Sequence, residues 1–361
     1  MIKSIRLKAS SRSYDIKVIN NTLSDVLKDA AIPGERGIFV VAAGSVMRYH
    51  EDYVRNAFSV FPQGYKLHVL KASERQKNLK TVESLTGYFS ANGLDRRSIV
   101  FVIGGGVLGD TTAFAASVYQ RGTDFIHIPT TIMAMTDSAI GGKSGVNFGK
   151  LKNYIGTIRQ PLMVINDLRF LKTLPKEEVA NGMGEVLKYA LIKESRLEKY
   201  FSGNPEILRN DKELADIITR SVKVKKHFIE ADEFEYGERK ALNFGHTFGH
   251  AIEGSMNFKV KHGLAVVAGI LCASSLSARL GLITPERLSR IIRMTELFHI
   301  RKIIRDIDPD PVIKLMKGDK KNSNGKIKGV MIAGESDIKF DVVITEEEIR
   351  EIISHVKSFY L

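Results

Sequence analysis

SIVFVIGGGVLGD, residues 98–110, decides the reading of the fold. After Ser98, residues 99–103 form an apolar run of the kind a strand shows when both of its faces are buried. Three glycines follow, and then a helix-like stretch. Gly104, Gly106 and Gly109 satisfy the G-x-G-x-x-G spacing. Close backbone approach, amide donors and a helix N-terminus at such a turn all favour a pyrophosphate. A tight strand-to-helix turn needs glycine at the same places, so the motif alone is weak. The acidic residue usual about 20 residues further on is missing, because Asp124 precedes the next strand instead of ending it. The motif also follows two earlier α/β units, so a dinucleotide bound here would sit in a variant of the Rossmann arrangement.

Working outward, GIFVVAAG (37–44), KLHVLKA (66–72) and DFIHIPTT (124–131) are further short apolar runs ending in small residues. Helix-length segments separate them, which predicts parallel strands with helical crossovers. Residues 3–8 and 14–19 alternate like a hairpin. From Lys176 to about Leu297 helical periodicity takes over, clearest in 177–191, 217–231 and 263–281. KGVMIAG and KFDVVIT read as a late hairpin, followed by a helix from Glu346. The expected architecture is therefore α/β, with a Rossmann-like domain over 1–174 and a mostly α-helical domain over 175–361.

Composition narrows the function. The chain has 361 residues, 43% apolar and 26% charged, ample for a core. A single cysteine, Cys272, excludes disulfide scaffolds and cysteine-rich zinc modules. No apolar run approaches the roughly 18–20 residues of a membrane span, and the first residues lack a signal peptide's apolar region. The expectation is a soluble cytoplasmic protein with no membrane partner. Fifty-four Lys+Arg against 41 Asp+Glu give a net charge of +13. The positive charge is spread along the chain without a basic tail or an aromatic-interleaved stripe, so a small polyanion explains it at least as well as nucleic acid.

Two constellations carry chemistry. Of nine histidines, His246, His250 and His262 fall within 17 residues, the first two four apart and so on one helix face. Glu185 sits in GMGEVLK on the first helix of the second half. Two imidazoles and a carboxylate suit zinc, with an open position for a substrate oxygen. Spacing does not decide which two histidines would serve. Basic residues beside glycines or other polar residues form the second group: Arg121, Lys143, Lys152, Lys188, Lys225 and Arg239. TDSAIGGKSGVN reads as one loop carrying Asp137, Lys143 and Asn147, and lysine beside glycine at a strand end is a common phosphate contact.

Taken in order, GGGVLGD, RGTDF, IPTT, DSAIGGKSGVN, KNYIG, TLPKEE, GMGEVLK, DEFEYGER, LNFGHTFGHAIE, HG and DKK resemble the 3-dehydroquinate synthase family of sugar-phosphate cyclases, over about residues 70–335. The resemblance implies an NAD-binding domain, a metal-binding helical domain and an active site in the cleft between them. It implies that Glu185, His246 and His262 hold zinc, or cobalt in its place, with His250 on the substrate side. It assigns NAD contacts to Glu74, Lys77, Gly105, Gly106, Val107, Asp110, Thr130, Thr131, Thr173, Leu174 and Glu178, and shares Asp137, Lys143 and Lys152 between cofactor and substrate. Substrate contacts are Asp137, Lys143, Lys152, Asn153, Lys188, Lys225, Arg239, Asn243 and His250, with Lys320 or Lys321 as a further phosphate contact. Of these, Asp137, Lys143, Lys188, Asn243 and His250 are the expected catalytic residues. Arg121 resembles an arginine that reaches the neighbouring subunit's site, implying a homodimer. The implied substrate is a sugar phosphate, 3-deoxy-D-arabino-heptulosonate 7-phosphate.

Three positions depart from the family pattern: Leu264 stands where glutamate is usual, Ala113-Phe114 where Gly-Phe is common, and Asp124 where a hydrophobic residue is more usual. The alternatives are another sugar-phosphate cyclase, or a metal-dependent polyol dehydrogenase of the same fold.

Overall fold

The computed structural model describes residues 3–30, 32–149, 151–201, 210–318 and 326–360. The chain divides into two units, one of Met1–Pro175 with Leu208–Phe234, the other of Lys176–Ile207 with Glu235–Leu361.

The first unit is built on strands β1 (Lys3–Lys8), β2 (Ser13–Ile19), β3 (Ile38–Ala43), β4 (Lys66–Leu70), β5 (Ile99–Gly104), β6 (Asp124–Pro129), β7 (Lys143–Phe148), β8 (Leu151–Ile158) and β9 (Met163–Asp167). Its helices are α1 (Leu23–Asp29), α2 (Gly44–Phe58), α3 (Leu79–Ala91), α4 (Gly106–Val118) and, after the first segment of the second unit, α6 (Asp211–Ala231). Seven strands form one sheet in the order β1-β2-β9-β6-β5-β3-β4. Only β1–β2 is antiparallel; the register β2 to β9, β6 to β9, β5 to β6, β3 to β5 and β3 to β4 is parallel throughout. Every residue of β3 and β5 is buried, which is why both read as unbroken apolar runs. From β3 the chain steps outward to β4, then returns across β3 to β5 and steps the other way to β6. The strand order reverses beside β5, and open α/β sheets bind ligands outside the carboxyl ends of their strands at such a point.

The short strand β9 is absent from the sequence reading. So is the β7–β8 hairpin, whose residues were expected to form a loop. Asp137 lies on a one-turn helix over Ala134–Ser138, whereas Lys143 opens β7 and Asn147 is within it. Asp124 begins β6 and is held by Arg12 at 2.9 Å and Arg36 at 3.0 Å, so a charge in place of the usual apolar residue is paired. The division at 174/175 put α6 with the second half. The structure packs it on the first unit, against β1 and β2, with Leu214, Ile217, Ile218, Val222 and Ile229 buried. Its helical period was legible; the partner of its apolar face was not.

Just past α6, Glu233 accepts hydrogen bonds from the Ser10 hydroxyl, the Ser11 amide and hydroxyl, and Gln160. Burial pushes its carboxyl up, but these donors outweigh burial and hold it at about 2, against an ordinary 4.5. The folded pKa is the depressed one, so the stabilisation is full above the unfolded value and disappears as pH falls toward 2. A shift of this size is worth about 3 kcal/mol at neutral pH. Glu233→Gln should show most of that deficit by urea unfolding at pH 7 and about half of it at pH 3. An equal deficit at both pH values would show that the carboxylate is not the cause.

The second unit holds α5 (Lys176–Ile192), α7 (His246–Ser255), α8 (His262–Arg279), α9 (Pro285–Glu296), α10 (Arg301–Arg305), α11 (Pro309–Lys317) and α12 (Glu346–Ser358), with a hairpin of β10 (Ile327–Ala333) and β11 (Asp337–Ile344). Contrary to the sequence reading, α8 is long and apolar enough to match a membrane span, but most of it is buried in this unit. Cys272 lies within it, fully buried, and burial pushes its thiol up to about 12. Glycines let α5, α7 and α8 meet backbone to backbone. A methyl on Gly184 of α5 would overlap the Gly263 carbonyl, and one on Gly269 of α8 would overlap the Gly245 carbonyl. Gly245 also holds φ at +78° just before α7.

Candidate active site

On the first unit the turn after β5 enters α4 at Gly106, so the first amides of α4 are free of intrahelical partners. A methyl on Gly105 would lie 3.1 Å from Thr131, and one on Gly106 would lie 2.8 Å from Ser138 Oγ. Ser138 Oγ is itself buried with no hydrogen-bond partner. The hollow is thus one that side chains would fill, with an unused polar atom facing it. Its rim adds Thr130, whose amide bonds the Gly104 carbonyl, and Thr131, whose Oγ1 accepts from the Ala134 amide. Val107 opens the first turn of α4.

Beside it a polar network ties the 73–77 segment to the β7–β8 hairpin. Lys77, 5% exposed, donates to Asp110 on α4 and to Asn153 on β8. Asn147 donates to Glu74 at 2.8 Å, the Asn147 amide bonds the Lys77 carbonyl at 2.9 Å, and Lys152 stands 4.0 Å from Glu74. Burial raises the Asp110 carboxyl above its ordinary value, against the pull of Lys77. Buried Lys225 of α6 donates to both the carboxylate and the carbonyl of Asp137, each at 2.6 Å. Lys143 is exposed at the start of β7. Thr173 is exposed, half-buried Leu174 follows it, and Thr173 Oγ1 contacts His50. Exposed Arg121 has φ +67°, directly after Gln120 at +48°.

On the second unit α5, α7 and α8 bring Glu185, His246 and His262 together. One oxygen of fully buried Glu185 lies 3.4 Å from Nε2 of His246 and 3.4 Å from Nε2 of His262. Two ligands each about 2.05 Å from a tetrahedral zinc stand about 3.35 Å apart, so the spacing fits a cation shared by the three. The far nitrogens are held as metal-bound imidazoles usually are: His246 Nδ1 lies 3.2 Å from the Phe244 carbonyl, and His262 Nδ1 lies 3.2 Å from Glu253. Lys188 pairs with the other Glu185 oxygen. Burial pushes the Glu185 carboxyl up, but Lys188, His246 and His262 hold it well below the usual range. Burial opposes protonation of His262, yet Glu185 and Glu253 carry it to about 9. His250, exposed, joins the same cluster: ligand nitrogens of His246, His250 and His262 all lie within 4.8 Å of one another. Spacing therefore leaves two donor sets, as the sequence did.

Elsewhere in this unit Asn243 donates to Glu235, Arg239 is buried, and Glu178 receives Lys261 and, at 3.1 Å, Asn181. Lys320 and Lys321 lie outside the described residues.

Family models described as 3-dehydroquinate synthase N-terminal and 3-dehydroquinate synthase C-terminal match residues 67–181 and 182–322. The chain belongs to the 3-dehydroquinate synthase family. A 3-dehydroquinate synthase of Prochlorococcus marinus (strain MIT 9312) is 35% identical over 341 residues, 91% of this chain and 93% of the relative. One of Dehalococcoides mccartyi is 35% identical over 361 residues, 97% of this chain and all of the relative. Among solved structures, a 2-epi-5-epi-valiolone synthase from Streptomyces hygroscopicus, with NAD+ and Zn2+ bound, superposes with a TM-score of 0.89 at 27% identity, covering 98% of this chain and 99% of that one.

For a 3-dehydroquinate synthase family member, the sequence reading omitted three charged or polar groups that the structure sets among its candidates. Glu253 follows His246 by seven and His250 by three, a helical spacing that was open to inspection. Glu235 lies inside the quoted DEFEYGER segment but takes φ +67°, which no local pattern announces. His50 is about 120 residues before the threonine it touches and carries no motif.

Proposed function

We propose that this chain converts 3-deoxy-D-arabino-heptulosonate 7-phosphate to 3-dehydroquinate and phosphate, using NAD catalytically and a divalent metal. The observation that carries the reading is the Glu185–His246–His262 triangle, with Lys188 beside it, in a chain related over nearly its whole length to 3-dehydroquinate synthases. Glu185, His246 and His262 would hold the cation. Gly105, Gly106, Val107, Thr130 and Thr131, with Glu74, Lys77, Asp110, Thr173, Leu174 and Glu178, would hold the nucleotide. When bound, the cation supplies Lewis acidity toward a substrate hydroxyl and NAD supplies a hydride acceptor that gives the hydride back.

The chain's own groups divide by charge. Lys143, Lys152, Asn153, Asn243 and His250, with Arg121 from a second copy, would hold the phosphate. There they favour its departure, since cations at a leaving phosphate act most where charge develops. Lys320 or Lys321 would add to them. Lys225 and Arg239, both buried, would hold the carboxylate, with Lys225 oriented by its pairing to Asp137. Asp137 and Lys188 would orient the ring hydroxyls. A homodimer in the cytoplasm completes the reading. Consecutive left-handed residues at 120 and 121 support a presented Arg121, because such strain is kept where the surroundings demand it.

The likeness to a valiolone synthase keeps a second cyclase reading in view. One assay separates the readings: phosphate release from the heptulosonate phosphate with NAD and zinc, followed at the NADH absorbance. Stoichiometric phosphate and 3-dehydroquinate with no net NADH is the expected result. Net NADH without phosphate would mean a dehydrogenase, and no turnover with both cofactors bound would mean a different sugar phosphate.

A further inference from the structure

His50 sits inside α2 at a point where the backbone leaves helical geometry, φ −135° and ψ 19°. The side chain is 7% exposed and packs edge-on against Phe170, ring centroids 5.1 Å apart. Its Nε2 lies 2.8 Å from Thr173 Oγ1, whereas Nδ1 is buried with no partner. Orphaned buried N–H groups are rarer than under-satisfied acceptors. The proton therefore belongs on Nε2, which donates to Thr173, and Nδ1 keeps the unused lone pair. Burial, with Arg169 adding to it, lowers the ring's pKa, so the imidazole is neutral at pH 7.

The consequence falls on Thr173. Having accepted from His50, its hydroxyl still carries its own proton. Its contact with the Phe170 carbonyl is 3.4 Å long, too far to hold that proton firmly. Thr173 is exposed, so the O–H is available to a ligand and its rotation is restrained by the imidazole behind it. We propose that His50 is a positioning residue for nucleotide binding, fixing the Thr173 hydroxyl as a directed donor to an acceptor oxygen of NAD. This rests on the assignment of Thr173 to the nucleotide site.

Two amide replacements separate positioning from packing. Glutamine sets its amide nitrogen near the place of Nε2, and asparagine near that of Nδ1. NAD dissociation constants are measured by titration of the full-length, zinc-loaded protein, with zinc content and melting temperature recorded for each variant. His50→Gln should bind NAD within about twofold of the parent. His50→Asn should bind about tenfold more weakly, the loss of one oriented hydrogen bond. Thr173→Val should show the same loss, and the double variant His50→Asn/Thr173→Val should be no weaker than either alone. Independent, multiplying losses would overturn the proposal, as would equal affinities of the Gln and Asn variants. If Thr173→Val binds NAD normally while both His50 variants fold, the assignment of Thr173 is what has failed, and the proposal falls with it.

Discussion

His246→Ala should lose bound zinc on dialysis, and His250→Ala should keep it. Both imidazoles lie on α7, one turn apart, and both are near His262, so proximity does not separate them. Their surroundings do. His246 is 9% exposed, its Nε2 faces the buried Glu185 carboxylate, and its Nδ1 is within reach of the Phe244 carbonyl. A proton on Nδ1 pointed at that carbonyl leaves the Nε2 lone pair for a cation. His250 is exposed, and its ring stands perpendicular to that of His246. Four-ligand zinc sites are worth about 10–16 kcal/mol, or about 3 kcal/mol per ligand, so losing one weakens binding by roughly a hundred- to a thousandfold. Competition with a chromophoric chelator measures this directly. His250→Ala should change the zinc constant by less than about fivefold and act on phosphate release instead. Equal zinc loss in the two variants would make the three histidines the donor set and return Glu185 to the role of counter-ion for Lys188.

Much of the architecture could be read in advance, because buried parallel strands and amphipathic helices write their environment into their period. The strands at 38–43, 99–104 and 124–129 are continuous apolar runs and were found as such. The β7–β8 hairpin was missed for a physical reason. Its core positions are glycines, and a methyl on Gly145 would lie 2.6 Å from the Ile155 carbonyl, so the pairing is specified by close backbone approach and not by side-chain alternation. Strand β9 is five residues long and short apolar runs are ambiguous. The site follows the same division. Residues inside local motifs, such as Glu185, His246 and His262, could be named from the sequence as one candidate group, and the structure brings them together. Groups that act through long-range contacts, such as Lys225 on Asp137 across 88 positions, carried their chemistry visibly but not their partner.

Lys143→Ala should cut the turnover of phosphate release by roughly a hundred- to a thousandfold, the usual effect of removing one oriented charge from a site where charge develops. The argument begins two residues earlier. Gly141 and Gly142 hold φ at +97° and +73°, a turn that residues with a Cβ resist. That turn delivers Lys143 to the first position of β7, paired with Ile158 of β8, with its side chain exposed. The same strand is tied by Asn147 to the backbone of Lys77 and to Glu74. A strand anchored to the 74–77 segment therefore carries the lysine, and an ammonium on such a stem can meet a phosphate with little reordering of its support. Because Lys77 and Asp110 keep their own pairing when Lys143 is shortened, NAD affinity should stay within about threefold, although Lys143 is assigned to cofactor as well as substrate. Arginine at this position should restore only part of the rate, since its longer planar head does not occupy the place of a compact ammonium. A parallel loss of NAD affinity and turnover would move Lys143 from the phosphate to the nucleotide; unchanged kinetics would remove it from the site.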